Sequence, residues 1–296
     1  MLNSFFDNHV VSSDFLTPIT HVHFDSIDST NTALIKAVNL GNLPYDLPCL
    51  YTAGHQTAGR GQHGRTWVSG VNNVFLTLYV PIKHGEFDLY QLSGLLSLAV
   101  GLELTKLPVI QMLNENRDRT SKIGVKWAND IGYFDDTQFK KLAGVLIEPV
   151  FRKISGKNNL VGAVIGVGLN VNHAPEIKDG LYQSTCIHDL ACVLTANQQF
   201  LAKDFYIPMT NQLLKAVQIC NHCYDKDYLK SFINYFNENH LLTNKNINIF
   251  IQNNMTDVHA SGQCIGISEN GELLLKNNDT IIPIFAGMAK LKLNEN

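Results

Sequence analysis

The chain has 296 residues, of which 45% are hydrophobic and 17% charged, so it can bury a sizeable core and global disorder is excluded. Its length suits one large domain plus a small one. The formal net charge of −3 argues against a general nucleic-acid binder, and no apolar run reaches the length of a membrane span.

The N-terminal stretch MLNSFFDNHVVSSDF lacks the positive start and long apolar core of a signal peptide, so a cytoplasmic location is expected. The first twenty residues show no amphipathic helix pair, and a helix-turn-helix module is not expected there. His21–Ile27 alternates as a strand. Asp28-Ser29-Thr30-Asn31 follows and supplies N-cap candidates for a helix over TALIKAV. Pro48–Ala53 reads as the next strand and runs into Thr52–Ser69, TAGHQTAGRGQHGRTWVS. Four glycines in this stretch let backbone N–H groups approach a ligand closely, and Arg60 and Arg65 add forked donors for phosphate or carboxylate. Gly59–Gly64 also spells G-x-G-x-x-G, but Asn73–Pro81 reads as a strand where a dinucleotide fold needs a helix. Neither a Walker Gly-Lys-Ser/Thr nor the kinase V-A-I-K, H-R-D and D-F-G set is present.

Phe87–Leu107 has helical apolar spacing, with Leu95, Leu96, Ala99 and Leu102 on its core face. Asn114–Ser121 reads as a polar turn, Lys122–Trp127 as a strand and Asp135–Lys140 as a second polar loop. Lys141–Val150 and Leu160–Asn170 are nearly continuous in apolar residues and read as adjacent central strands. Gly144, Gly166 and Gly168 interrupt them, which marks close approach of a ligand or another backbone. Gln199–Cys220 and Asp225–Asn237 read as helices, with Pro208 starting or kinking the first. From residue 243 onward the pattern changes to short strands: Asn246–Gln252, His259–Ser268, Gly271–Lys276, Thr280–Phe285 and Met288–Leu293. Asn270-Gly271 is a hairpin signal between two of them. The six cysteines include one C-x-x-C, Cys220 to Cys223, whose surroundings fit no standard zinc finger; free, partly buried thiols are expected.

Five stretches combine into one pattern. They are Asp28-Ser29-Thr30-Asn31, Gln56 with Gly59–Trp67, Lys126-Trp127-Ala128-Asn129-Asp130, Lys141–Glu148, and Gly166-Val167-Gly168-Leu169-Asn170. In this order and spacing the chain resembles biotin protein ligases, from about His21 to the C-terminus. The resemblance implies an α+β fold, a mixed sheet with helices related to class II aminoacyl-tRNA synthetases and lipoate ligases. It implies a catalytic domain over residues 1–242 and a small SH3-like β-barrel over residues 243–296. It also implies ATP-dependent activation of biotin to biotinyl-adenylate, with Mg²⁺, and transfer to one lysine of a biotin carboxyl carrier protein. No DNA or membrane partner is implied, and the chain is expected as a monomer or homodimer.

Residue by residue, the resemblance makes Lys141 and Arg60 the catalytic charges. Ser29, Thr30, Asn31 and Gln56 are implied for biotin, together with Gly59, Arg60, Gly61, Gln62, Lys141, Gly144, Gly166 and Gly168. Arg60, Arg65, Trp67, Lys126, Asn129 and Asn170 are implied for the nucleotide, and Asp130 for Mg²⁺ or the acceptor lysine. For Trp67, packing over the ligand and burial in the core stand equally. Three features depart from the family pattern: Ala128 replaces a common proline, the loop between Asp130 and Lys141 is long, and Gln62 replaces a frequent arginine and so reduces charge. Two alternatives remain at this level, a lipoate or octanoate ligase or transferase on the same scaffold, and a biotin-sensing repressor.

Overall fold

The computed structural model describes residues 19–82, 89–136, 138–177, 182–192, 199–251 and 257–292. The first eighteen residues, where no helix pair was expected, lie outside these. So do Phe87, Gln252 and Leu293 at the ends of expected elements.

In chain order the first part contains β1 (Thr20–Phe24), α1 (Thr30–Asn39), β2 (Cys49–Ala53), β3 (Val74–Pro81), α2 (Leu89–Leu104), α3 (Pro108–Glu115), β4 (Gly124–Lys126), β5 (Asp130–Asp135), β6 (Gln138–Ile154), β7 (Lys157–Leu169), β8 (Gln183–Ser184), α4 (Ile187–Ala191), α5 (Tyr206–His222) and α6 (Lys226–Asn239). The strands form one mixed sheet in the order β1-β2-β3-β7-β6-β5-β4, with β8 added beside β6. β1 and β2 run parallel, while β2, β3, β7, β6, β5 and β4 pair antiparallel in turn. β6 and β7 are central, as their continuous apolar runs predict. They also extend past that run into a hairpin closed by Ser155 and Gly156, both at positive φ.

Three expectations change. Asp135–Lys140 is not a loop, and the stretch between Asp130 and Lys141 does not protrude as one. β5 and β6 pair through it, Asp135 opposite Gln138, and the Phe134 and Phe139 rings lie 5.4 Å apart across the strands. The cross-strand aromatic pair outweighs the polar residues between its members. A third helix starts at Pro108, where proline suits the first turn; the sequence reading had ended the helical region at Leu107. The short α4 was also not foreseen.

The helices cover the two sheet faces unequally. Leu34 and Val38 of α1 pack with Tyr51, Tyr79 and Val164 on one face. α2, α5 and α6 cover the other, where Leu95, Leu96, Ala99, Leu213, Phe232 and Phe236 join a large core. Cys220 and Cys223 are buried in that core as free thiols. No single helix among the described residues is long and apolar enough to cross a membrane.

Five further strands, β9 (Asn246–Phe250), β10 (Ala260–Ile267), β11 (Leu273–Asn277), β12 (Thr280–Ile284) and β13 (Met288–Leu291), form a second, antiparallel sheet in the order β12-β11-β10-β9-β13. This arrangement is compatible with an SH3-like barrel. Its Ile247, Ile249, Leu273 and Leu275 belong to the same core as α2 and α5. The Trp127 indole donates to the Gly271 carbonyl at 2.9 Å, and Asn237 accepts from the Ile267 amide at 3.0 Å. These bonds fix the second sheet against the first part of the chain.

Candidate active site

Register builds the floor of the site. Gly144 lies opposite Gly168, and Gly166 lies between Leu146 and Thr77. Paired residues share a face of the sheet, so these glycines open a strip on the α1 side. Above it is a cavity of about 760 Å³, bounded by the start of α1, the glycine loop, the β4–β5 corner and the C-terminal unit. Every residue that the resemblance assigns to ligands lines it, except Gly59 and Asn170.

Those two have other work. A Cβ at Gly59 would lie 2.5 Å from the Trp67 carbonyl, so glycine is required where the loop closes on itself. Asn170 is buried; its amide donates to the Thr185 carbonyl at 3.1 Å, and its Oδ1 accepts from Asn73 at 3.3 Å. It fastens the end of β7 and does not line the cavity.

The glycine loop is a narrow hairpin. Gly61 donates to the Arg65 carbonyl at 2.8 Å, and Trp67 donates to the Gly59 carbonyl at 2.9 Å. The tip, Gln62–Gly64, is a single tight turn with His63 and Gly64 at positive φ. At its foot, Gln56 Oε1 accepts from the Thr30 amide at 2.8 Å and the Thr30 hydroxyl at 3.1 Å. Ser29 caps α1, accepting from the Thr32 amide. Its capping and cavity positions therefore coincide.

Trp67 reaches from the loop onto the floor. Its ring lies over Gly144 and Gly168, where a Cβ at either position would collide with it. The ring lines the cavity and is not a member of the apolar core. The indole N–H is buried and has no hydrogen-bond partner. A buried orphan donor costs about 1–3 kcal/mol, a deficit that a ligand oxygen can relieve.

Charge is concentrated at the β4–β5–β6 corner. Lys141 Nζ donates to Asp130 Oδ1 at 2.6 Å, and Lys126 Nζ stands 4.0 Å from Asp130 Oδ2. Burial opposes the charge on all three. It pushes Asp130 up, but the Lys141 and Lys126 ammoniums outweigh it and hold the carboxyl below its ordinary value. Burial pushes Lys141 down, but Asp130 and Tyr182 outweigh it and keep its pKa above the usual lysine value. For Lys126 burial prevails over Asp130, and its pKa is lowered. The ion pair thus holds the Lys141 ammonium at the cavity wall and favours its charged form. Asn129 is more structural: its side-chain amide donates to the Val145 carbonyl at 2.8 Å and its backbone carbonyl accepts from the Val145 amide at 3.0 Å.

Sequence reasoning missed several lining residues. The Tyr182 ring lies 4.8 Å from Lys141 Nζ. Ser97 and the C-terminal residues Asn270, Gly271, Glu272 and Met288 complete the wall. Asn270-Gly271 was legible only as a hairpin turn; that the turn faces the cavity depends on how the two sheets dock.

Four likenesses, to a family, two relatives and one solved structure, bear on this geometry. The model of the "Biotin/lipoate A/B protein ligase family" matches residues 23–170. The bifunctional ligase/repressor BirA of Escherichia coli is 25% identical over 271 residues, covering 91% of this chain and 73% of that protein. The biotin–[acetyl-CoA-carboxylase] ligase of Mycobacterium tuberculosis is 36% identical over 129 residues, 43% of this chain and 41% of that one. Among solved structures, the biotin protein ligase from Aquifex aeolicus in complex with biotin and ATP has a TM-score of 0.62 at 21% identity, covering 92% of this chain and 98% of that one. At that identity the likeness is one of fold.

Proposed function

Because the chain belongs to the biotin/lipoate A/B protein ligase family, whose model spans half of it, we propose that it is an ATP-dependent biotin protein ligase. The observation that carries this reading is the cavity itself: a glycine-floored slot, two loop arginines and the Asp130-anchored Lys141 converge on one space.

In the first step a carboxylate oxygen of biotin attacks the α-phosphorus of ATP; the bond to the β-phosphate breaks and pyrophosphate leaves. This chemistry needs positioning and charge more than a protein nucleophile. Lys141 and Arg60 supply positive charge to the phosphate and carboxylate oxygens, Arg65 extends that charge along the loop, and Thr30, Gln56 and the Trp67 N–H are placed for polar groups of the ligand. In the second step the neutral ε-amine of a lysine on a biotin carboxyl carrier protein attacks the acyl carbon. The bond from that carbon to the phosphate oxygen breaks, AMP leaves with the electron pair, and the nitrogen loses its proton as the amide forms. Asp130 stays ionised at the site and can orient the incoming amine.

Asp130 does not fit a resident magnesium site, because its carboxylate is held between two lysine ammoniums. Mg²⁺ therefore enters as part of the Mg–ATP substrate. The cytoplasm, where carrier protein and ATP are available, is the location this function requires.

The test is ATP–pyrophosphate exchange by the purified protein with biotin, lipoate or octanoate as the acid. Exchange that requires biotin is expected. Exchange with lipoate or octanoate and none with biotin would move the chain to the other branch of its family.

A further inference from the structure

A connected set of side chains lies beneath the cavity, and three of its members, Asn31, Thr77 and Glu148, have no task in the proposed chemistry. From Gln56 at the foot of the loop, the set passes to Thr30 as described. The Thr77 hydroxyl lies 2.8 Å from that of Thr30 and 2.6 Å from Asn31 Oδ1. The Asn31 amide donates to Glu148 Oε2 at 3.0 Å and to the Leu146 carbonyl at 3.2 Å. Glu148 Oε1 accepts from Arg60 Nη2, which returns the path to the loop. Thr30, Asn31 and Thr77 are at most 4% exposed. Gly166 makes this possible, since a Cβ there would overlap the Asn31 amide. Its missing side chain seats Asn31, while those of Gly144 and Gly168 seat the Trp67 ring.

We propose that Glu148 is the positioning residue for Arg60: anchored by Asn31, it fixes the plane of the loop guanidinium before substrate arrives. The inference rests on the ligase reading for what Arg60 binds. An ordinary exposed ion pair is worth little, because both side chains must be ordered to make it. Here one partner is already ordered. Glu148 stands on central β6, and Asn31 holds its second oxygen from a buried position. Guanidinium carries five donors in a planar fork. Engaging Nη2 leaves the others for a carboxylate or phosphate and lowers the ordering cost paid on binding.

The experiment is a double-mutant cycle on biotin-dependent pyrophosphate exchange, with wild type, Glu148→Gln, Arg60→Ala and the double variant. Glutamine keeps the size and an acceptor for Asn31 but removes the charge that holds Arg60. Glu148→Gln should raise KM by about tenfold, the scale of one charge-assisted hydrogen bond, with a smaller change in kcat. In the Arg60→Ala background the same change should have no further effect. Additive losses would overturn the proposal, because a merely structural glutamate acts independently of Arg60. Should Glu148→Gln fail to fold, Asn31→Ser, which frees the carboxylate without removing it, carries the same cycle. If the wild type exchanges with none of the three acids, the ligase reading fails, and the anchor is then judged by hydrogen exchange across residues 59–67. Faster exchange in Glu148→Gln than in wild type supports it; equal exchange overturns it.

Discussion

Two residues show how burial assigns a role. Asp130 compensates for the burial of Lys141 and favours its charged form, so the contribution to catalysis proposed for it is a fixed positive charge. Lys141→Ala should lower the rate of adenylate formation by about 100-fold or more, the scale of losing one preorganised group at a developing charge. Single-turnover pyrophosphate release measures it, and a near-normal rate would remove Lys141 from the reaction. His240 is the opposite case. Its Nε2 accepts from the Trp127 amide at 3.1 Å, its ring stacks on Phe236, and burial, with the Lys126 and Lys245 charges adding to it, lowers its pKa to about 3. Below pH 6.5 the unfolded chain takes up a proton that the folded chain refuses, so stability falls with falling pH by up to ~1.4 kcal/mol per unit. The loss levels off near the folded pKa of about 3. Denaturant unfolding of wild type and His240→Gln from pH 7 to pH 4 checks this: the variant should be less stable at pH 7 but should show the shallower slope. Parallel curves would contradict it.

The glycine loop is the element whose behaviour matters most. Its hairpin bonds hold Gly61, Arg65 and Trp67 amides, while the tip Gln62–Gly64 carries little packing and no buried residue. Ligand contacts should therefore add order mainly at the tip. Hydrogen exchange across residues 59–67 should slow on adding biotin and ATP together. Full protection of the tip in the free protein would contradict this. At the same scale, the β5–β6 hairpin carries Asp130 and Lys141 on neighbouring strands, which is why the pair keeps its 2.6 Å geometry without a loop between them to rearrange.

At the scale of the whole molecule, the two sheets share one apolar core, and the C-terminal unit supplies part of the cavity wall. Thermal unfolding should accordingly be a single cooperative transition. Trp127→Phe removes the donor to the Gly271 carbonyl and leaves that buried acceptor unpaired. The transition should remain single and lose about 1–3 kcal/mol. Two separated transitions in the wild-type protein would show that the β unit folds independently.

The strands, the principal helices, the all-β end and most of the cavity residues could be read from the chain, because glycine spacing, apolar periodicity and cap residues are local signals. Gly144 and Gly168 lie under the Trp67 ring on the cavity floor, and Lys141 stands on the same strand as Gly144, inside it and not at its start. What required the fold were relations between distant segments. Asn170 looked like a ligand residue and is a buried fastener, because its partners Asn73 and Thr185 come from other elements. Glu148 closed a familiar-looking strand motif, yet its task appears only when Asn31 and Arg60 meet it from sites more than eighty residues away. Local sequence determined which residues could serve the site. The tertiary structure decided which of them face it, because sheet register and the docking of the second sheet bring together groups that no spacing along the chain records.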